Sequence, residues 1–148
     1  MPTEPTQITG RCHCGNVSFV LNTDKPPEEL AVRACGCDFC RAHGALSTSD
    51  PEGPVRFAIR DPARVNRYRF GLETADFLVC RDCGVYLGAL MEDGGEAFAI
   101  VNVNACEDRD RFTQIAAPMD YGGEDDAARR ARRRAKWSPG ELVVEGGV

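Results

Sequence analysis

Apolar runs long enough to cross a bilayer, which takes about 18 residues, are missing from this 148-residue chain. That excludes a helical membrane protein. The opening MPTEPTQITG has no basic stretch followed by an apolar core, so no secretory signal is read there. Positive charge is not in excess either: the net charge is −5, which argues against general nucleic-acid affinity. No whole unit repeats and no low-complexity linker divides the chain, so a single domain over residues 1–148 is expected, with a core of about 8–117 and a tail of about 122–148. The length suffices to bury a core without depending wholly on staples. Hydrophobic residues at 43% and charged residues at 28% are ordinary for a globular protein. A cytoplasmic, reducing location is expected, where close-set cysteines serve as metal ligands or redox groups before they serve as disulfides.

Cysteine is what the chain does have. Seven of its eight cysteines fall into three clusters: Cys12 and Cys14; Cys35, Cys37 and Cys40; Cys80 and Cys83. A set of two, three and two thiols fills one tetrahedral four-thiolate site and leaves three over. Four closed ligands suit a structural zinc, and three ligands with an open position suit a catalytic one. Two zinc ions per chain with different tasks are therefore expected. The eighth cysteine, Cys106, stands alone in VNVNACED and reads as an ordinary buried or half-buried thiol.

The pairing of clusters follows from turn chemistry. Gly10 and Gly15 bracket Cys12 and Cys14, and Gly84 follows the CRDC knuckle at Cys80 and Cys83. A glycine there permits the positive φ that turns backbone amides toward the sulfurs. Two knuckles clamping one ion would tie the first strand to the middle of a sheet, with loss of the ion unfolding much of the structure. Cys35, Cys37 and Cys40 then form the open site, completed by water or substrate. The plainer alternative is a second structural zinc completed by His43; His13 reads as an exposed bystander. Three thiolates leave a divalent ion with net negative charge, poorly matched to water and well matched to a soft thiol ligand. A thiol bound there would present its nucleophilic thiolate near neutral pH.

The rest of the chain reads as mainly β and mostly antiparallel. Short β-favouring runs are expected at 17–21, 31–35, 45–48, 55–59, 65–70, 75–79, 85–91 and 97–103, separated by Pro, Gly and Asp. After Gly122 the composition changes. Glu124, Asp125 and Asp126 precede an alanine- and arginine-rich stretch to Trp137, with Pro139 as a stop. Acid-first order and the pairs Asp125 with Arg129 and Asp126 with Arg130 indicate a short C-terminal helix, anchored by Trp137.

The motifs Gly10-Arg11-Cys12-His13-Cys14-Gly15, Cys35-Gly36-Cys37-Asp38-Phe39-Cys40-Arg41 and Phe77-Leu78-Val79-Cys80-Arg81-Asp82-Cys83-Gly84 together resemble the glutathione-dependent formaldehyde-activating enzyme family, which includes centromere protein V-like proteins. The resemblance covers residues 10 to about 105. It implies a β-tent fold of antiparallel sheets pinned by zinc, with Cys12, Cys14, Cys80 and Cys83 holding the structural ion. It implies a second zinc on a catalytic Cys35, Cys37 and Cys40, where glutathione's sulfur binds. The reaction implied is carbon–sulfur lyase-type, joining glutathione and formaldehyde or another small aldehyde, as an S-hydroxymethylglutathione synthase does. The motifs fix no general acid; Arg41 and His43 are candidates, each more often a solvated loop residue.

Arg129, Arg130, Arg132, Arg133, Arg134 and Lys136 could meet the carboxylates of glutathione or phosphates. The plainer reading is a solvated helix face with its own acidic neighbours. Two functions stay open: a zinc enzyme handling glutathione adducts, or a non-catalytic zinc-stabilised binding module, either a thiol carrier or a nucleic-acid or protein adaptor. Arginines that face solvent away from the triad would favour the second. The sequence leaves the oligomeric state open.

Overall fold

Period-two alternation builds the first sheet. The computed structural model describes residues 6–145. In β2 (Val17–Thr23), Val17, Phe19 and Leu21 are buried while Ser18, Val20 and Asn22 are half-buried, as a strand with one covered face requires. It pairs antiparallel with β1 (Thr6–Arg11) and with β5 (Val55–Ile59). Gly10 of β1 is required by close approach, since a Cβ there would stand 2.6 Å from the Ala105 carbonyl oxygen and strike the Phe19 ring.

The second sheet is larger. β6 (Val65–Tyr68), β7 (Asp76–Cys80), β8 (Tyr86–Asp93) and β9 (Glu96–Asn102) follow one another antiparallel. The far edge of β9 carries β4 (Ser47–Thr48), then β3 (Val32–Cys35) and β10 (Ala117–Met119). β11 (Ser138–Val144) joins the two sheets: Ser138 and Pro139 pair with β9, and Gly140 to Val144 run parallel to β5.

Both faces of the second sheet are covered, and by different material. On β7, Leu78 and Cys80 enter one core while Phe77 and Val79 meet the other; on β9, Ala99 and Val101 oppose Phe98 and Ile100. The first core lies against β1, β2 and β5 and is largely aliphatic, with Phe19 and Phe57 edge-to-face at 6.1 Å. The second lies beneath α1 (Asp38–His43) and Trp137, which follows α2 (Asp126–Lys136). It is rich in aromatic rings. A register shift between Leu78 and Val79 leaves Leu87 unpaired on β8. Such a bulge re-aims side chains, so that Tyr86 meets the second core and its neighbour Leu87 the first.

The architecture is thus mainly β with two helices and mostly antiparallel pairing, as the sequence indicates. Eight expected strands are present within a few residues of their bounds. Three strands are additional: β1, β10 and β11, of which β10 and β11 bring the parallel pairs. The stretch Arg41 to Gly44, expected as loop, is the end of α1 and its left-handed cap, Gly44 at φ 58°. The tail is more than a helix: Pro139 lies at the second residue of β11, on the short antiparallel stretch against Phe98. Within α2 the expected Asp126–Arg130 pair forms at 2.7 Å. Asp125 instead caps the helix, accepting from the Ala128 amide at 2.8 Å, and Arg129 turns to Glu124 at 3.3 Å.

Candidate metal centres

The β1–β2 and β7–β8 turns bring Cys12, Cys14, Cys80 and Cys83 together, with all four sulfurs within 4.8 Å of one another. Gly15 at φ 83° closes the first turn, its amide donating to the Cys12 carbonyl at 3.0 Å. Gly84 at φ 79° closes the second, donating to Cys80 in the same way. The Cys12–Cys14 and Cys14–Cys80 sulfur separations are 3.7 and 3.5 Å. Thiolates at about 2.3 Å from a tetrahedral ion would stand about 3.8 Å apart, so the group could hold a metal ion with little adjustment. Arg64 pairs with Asp82 inside the second knuckle.

Cys35 ends β3, Cys37 caps α1, and Cys40 lies in its first turn; their sulfurs also lie within 4.8 Å. The Cys37 sulfur accepts from the Cys40 amide at 3.4 Å. Among the described residues no fourth Cys, His, Asp or Glu joins this group. His43 packs instead against Phe39 in a tilted arrangement, centroids 4.6 Å apart, and neither it nor Arg41 lines the adjoining cavity. His13 is exposed, as expected.

The thiols within each group differ in proton affinity. Cys35 is drawn down to about 5, foremost by a hydrogen bond from Cys40 and against its own burial. Cys40 is pushed up by that same neighbour and by burial. In the four-sulfur group burial lifts Cys12 to about 12. Cys83 resists its burial and falls to about 6 through the Cys14 and Val85 amides and the Cys80 and Cys12 thiols. Crowded sulfurs that share protons unequally are sites where a cation would relieve repulsion. Cys106 behaves otherwise: it is buried in the first core, and burial raises it to about 12.

A cavity of about 390 Å³ opens beside the triad. Its walls include Phe70, Phe77 and Trp137, the triad itself, and four arginines: Arg33 from β3 with Arg129, Arg132 and Arg133 from α2. The arginine run therefore divides. Arg130 and Arg134 fit the solvated reading, bonding Asp126, Asp93 and Glu96. Arg129, Arg132 and Arg133 do not, because their i, i+3 and i+4 spacing puts them on the inward helix face. The sequence reading missed Arg33, Tyr121 and Tyr86. Tyr121 lies under Arg132, with the guanidinium carbon 3.5 Å from the ring centroid. Tyr86 is fully buried behind the triad, its hydroxyl without a partner among the described residues. Burial and the three nearby sulfurs push that hydroxyl well above its usual range. Arg33 lay two residues before a recognised motif and gave no signal of its own.

The family model of the glutathione-dependent formaldehyde-activating enzyme matches residues 7–119. The chain belongs to that family. A crystal structure of a Rhodobacter sphaeroides protein is similar to this formaldehyde-activating-family chain at 28% identity and a TM-score of 0.54, covering 75% of this chain and 99% of the other. No curated protein matches it. Membership points to glutathione and formaldehyde as the chemical theme. The matched segment contains both cysteine groups and Arg33, and it ends before α2. No helix among the described residues is long and apolar enough to cross a membrane.

Proposed function

We propose that the chain is a zinc-dependent carbon–sulfur lyase-type enzyme, one cytoplasmic domain over 1–148, that joins glutathione to formaldehyde or another small aldehyde. Cys12, Cys14, Cys80 and Cys83 hold a structural zinc. Cys35, Cys37 and Cys40 hold a second. Both donor sets fit the metal: sulfur is its preferred soft donor, the separations of 3.7 and 3.5 Å in the four-sulfur group match a tetrahedral site, and the three triad sulfurs lie within 4.8 Å of one another. Zinc bound at the triad would supply a position at which a thiol sits as thiolate near neutral pH.

The chain's own residues do the rest. β3 and the N-terminus of α1 fix the three sulfurs at one end of the cavity. Phe70, Phe77 and Trp137 exclude water along its sides. The guanidinium face of α2 holds the ligand's body while its sulfur meets the aldehyde carbon, which turns an encounter of two molecules into a fixed geometry. The net change forms one carbon–sulfur bond, and the thiol proton ends on the former carbonyl oxygen. Arg41 and His43, the candidate proton donors, do not line the cavity.

The single observation that carries this reading is the open three-sulfur group at the wall of a cavity. The adaptor alternative would be favoured by arginines facing solvent away from the triad, and three of the run face the same cavity as it. Calorimetry of reduced glutathione against the zinc-loaded protein tests the proposal, together with detection of the S–CH2–OH product by NMR. Millimolar-or-tighter binding and product formation above the spontaneous rate are expected. An absence of heat up to millimolar thiol would remove the thiol-substrate reading.

A further inference from the structure

α2 turns no apolar ridge toward the cavity. Its inward face is Arg129, Arg132 and Arg133, and Arg33 stands with them along the cavity wall. A charge taken out of water is strongly penalised unless it is paired, so each of these cations needs a partner. Glu124 serves two of them, at 3.3 Å from Arg129 and 2.7 Å from Arg132. The other two have no carboxylate among the described residues. Arg133 is 6% exposed; it donates to Thr74 Oγ1 at 2.6 Å and lies 3.9 Å from Met91 Sδ. Its Nε has no partner among the described residues, and its guanidinium carbon lies 4.6 Å from the Trp137 ring centroid. Arg33 donates to Ser49 Oγ at 2.5 Å. Asp120 also lines the cavity, which leaves four guanidinium groups facing two carboxylates.

We infer that the cavity selects thiols that carry a carboxylate, with Arg133 and Arg33 as the cations that receive it and Arg129 and Arg132 flanking them. This rests on the reading that the ligand's sulfur docks at Cys35, Cys37 and Cys40. A planar guanidinium fork matches a carboxylate in two parallel hydrogen bonds, and the cation on Trp137 is already oriented for it. Burial draws Arg133 down to about 10, with Arg132 and Arg129 adding to the effect, which leaves it cationic at neutral pH. Three of the four arginines lie beyond residue 119, outside the segment the family model matches. Selection by charge is therefore shared between Arg33 of the matched segment and the arginines of the tail beyond it.

The test uses S-methylglutathione, which keeps both carboxylates and has no free thiol, so that it reports the guanidinium side alone. Calorimetry on the full zinc-loaded chain is expected to show binding that weakens with added salt. Arg133→Met should weaken it about tenfold or more, the range expected for one charge-assisted contact. The same variant should melt at an unchanged or higher temperature, because it removes an unpaired buried charge. Arg33→Gln is the second variant, should Arg133→Met fail to fold, and should weaken the probe in the same direction. 2-Mercaptoethanol, a thiol without an acid, should bind wild type and variants alike. Failure of S-methylglutathione to bind the wild type, or equal binding by the variants, would overturn the inference. Glutathione binding without S-methylglutathione binding would sink the carboxylate site and leave the thiol reading standing. Equal binding of glutathione and S-methylglutathione would sink the thiol reading and leave the carboxylate site.

Discussion

The two faces of the second sheet handle the same element, sulfur, in opposite ways. On one face, Cys12 and Cys80 are buried in an aliphatic core between the sheets, and four sulfurs gather from two distant turns. On the other, three sulfurs sit at the edge of an aromatic core with a cavity and four arginines before them. With four donors, the first arrangement would close the coordination of a tetrahedral ion and offer no position to a ligand. The second, with three donors, would leave a coordination position open toward the cavity. Donor count and surroundings, more than exposure of individual thiols, distinguish bracing from chemistry here; Cys14 is the exposed sulfur, yet it belongs to the closed group.

The largest effect should come from the closed face. Cys80→Ser removes one of four donors that join the β1–β2 turn to the β7–β8 turn. Structural zinc contributes apparent free energies of about 10–16 kcal/mol in small domains, so the variant should lose its cooperative thermal transition by circular dichroism. A melt like that of the wild type would show that the sheets hold without the clamp. Cys37→Ser sharpens the contrast: turnover should fall to the spontaneous rate and metal content from two per chain to one, with the melt retained. Unfolding of this variant would erase the distinction between the faces.

A smaller effect concerns the cavity wall. Glu124 is held below the ordinary glutamate range, chiefly by its hydrogen bond from Arg132, with Arg129 adding. A depressed carboxylate gives stability that is present above its unfolded pKa and lost as pH falls through its folded one. Thermal stability should therefore decline below pH about 4, and less so in Glu124→Gln, measured by melts across pH. Smallest of all, Tyr86→Phe removes a buried hydroxyl without a partner among the described residues and should be neutral or stabilising by about 1 kcal/mol in denaturant titrations. A large loss of turnover with an unchanged melt would instead give Tyr86 a role behind the triad.

Much of this contrast is legible in the chain itself, because cysteine spacing is a local signal. The two knuckles announce themselves through Gly15 and Gly84, both at positive φ. The middle triad stands out because three ligands are too few to close a site. Strands with clean alternation, such as β2 and β5, are equally plain. What escaped depends on tertiary company. β11 contains a proline and a glycine, and it becomes a strand because β5 and β9 flank it on either side. α1 is six residues long, and Cys37 caps it through a weak sulfur acceptor that no capping rule favours. The arginine run looked like one solvated face; only the helix phase, fixed when Trp137 buries, separates Arg133 from Arg134. Arg33 carries no pattern at all until β3 brings it to the cavity.

Stepwise chelation of the reduced, zinc-loaded protein tests the unequal division of sulfur most directly, with released metal and circular dichroism followed together. The account predicts two phases: one ion leaves first with the fold intact and glutathione binding lost, and the second leaves only as the sheets unfold. Release of both ions in a single step, or collapse of the fold with the first, would contradict it.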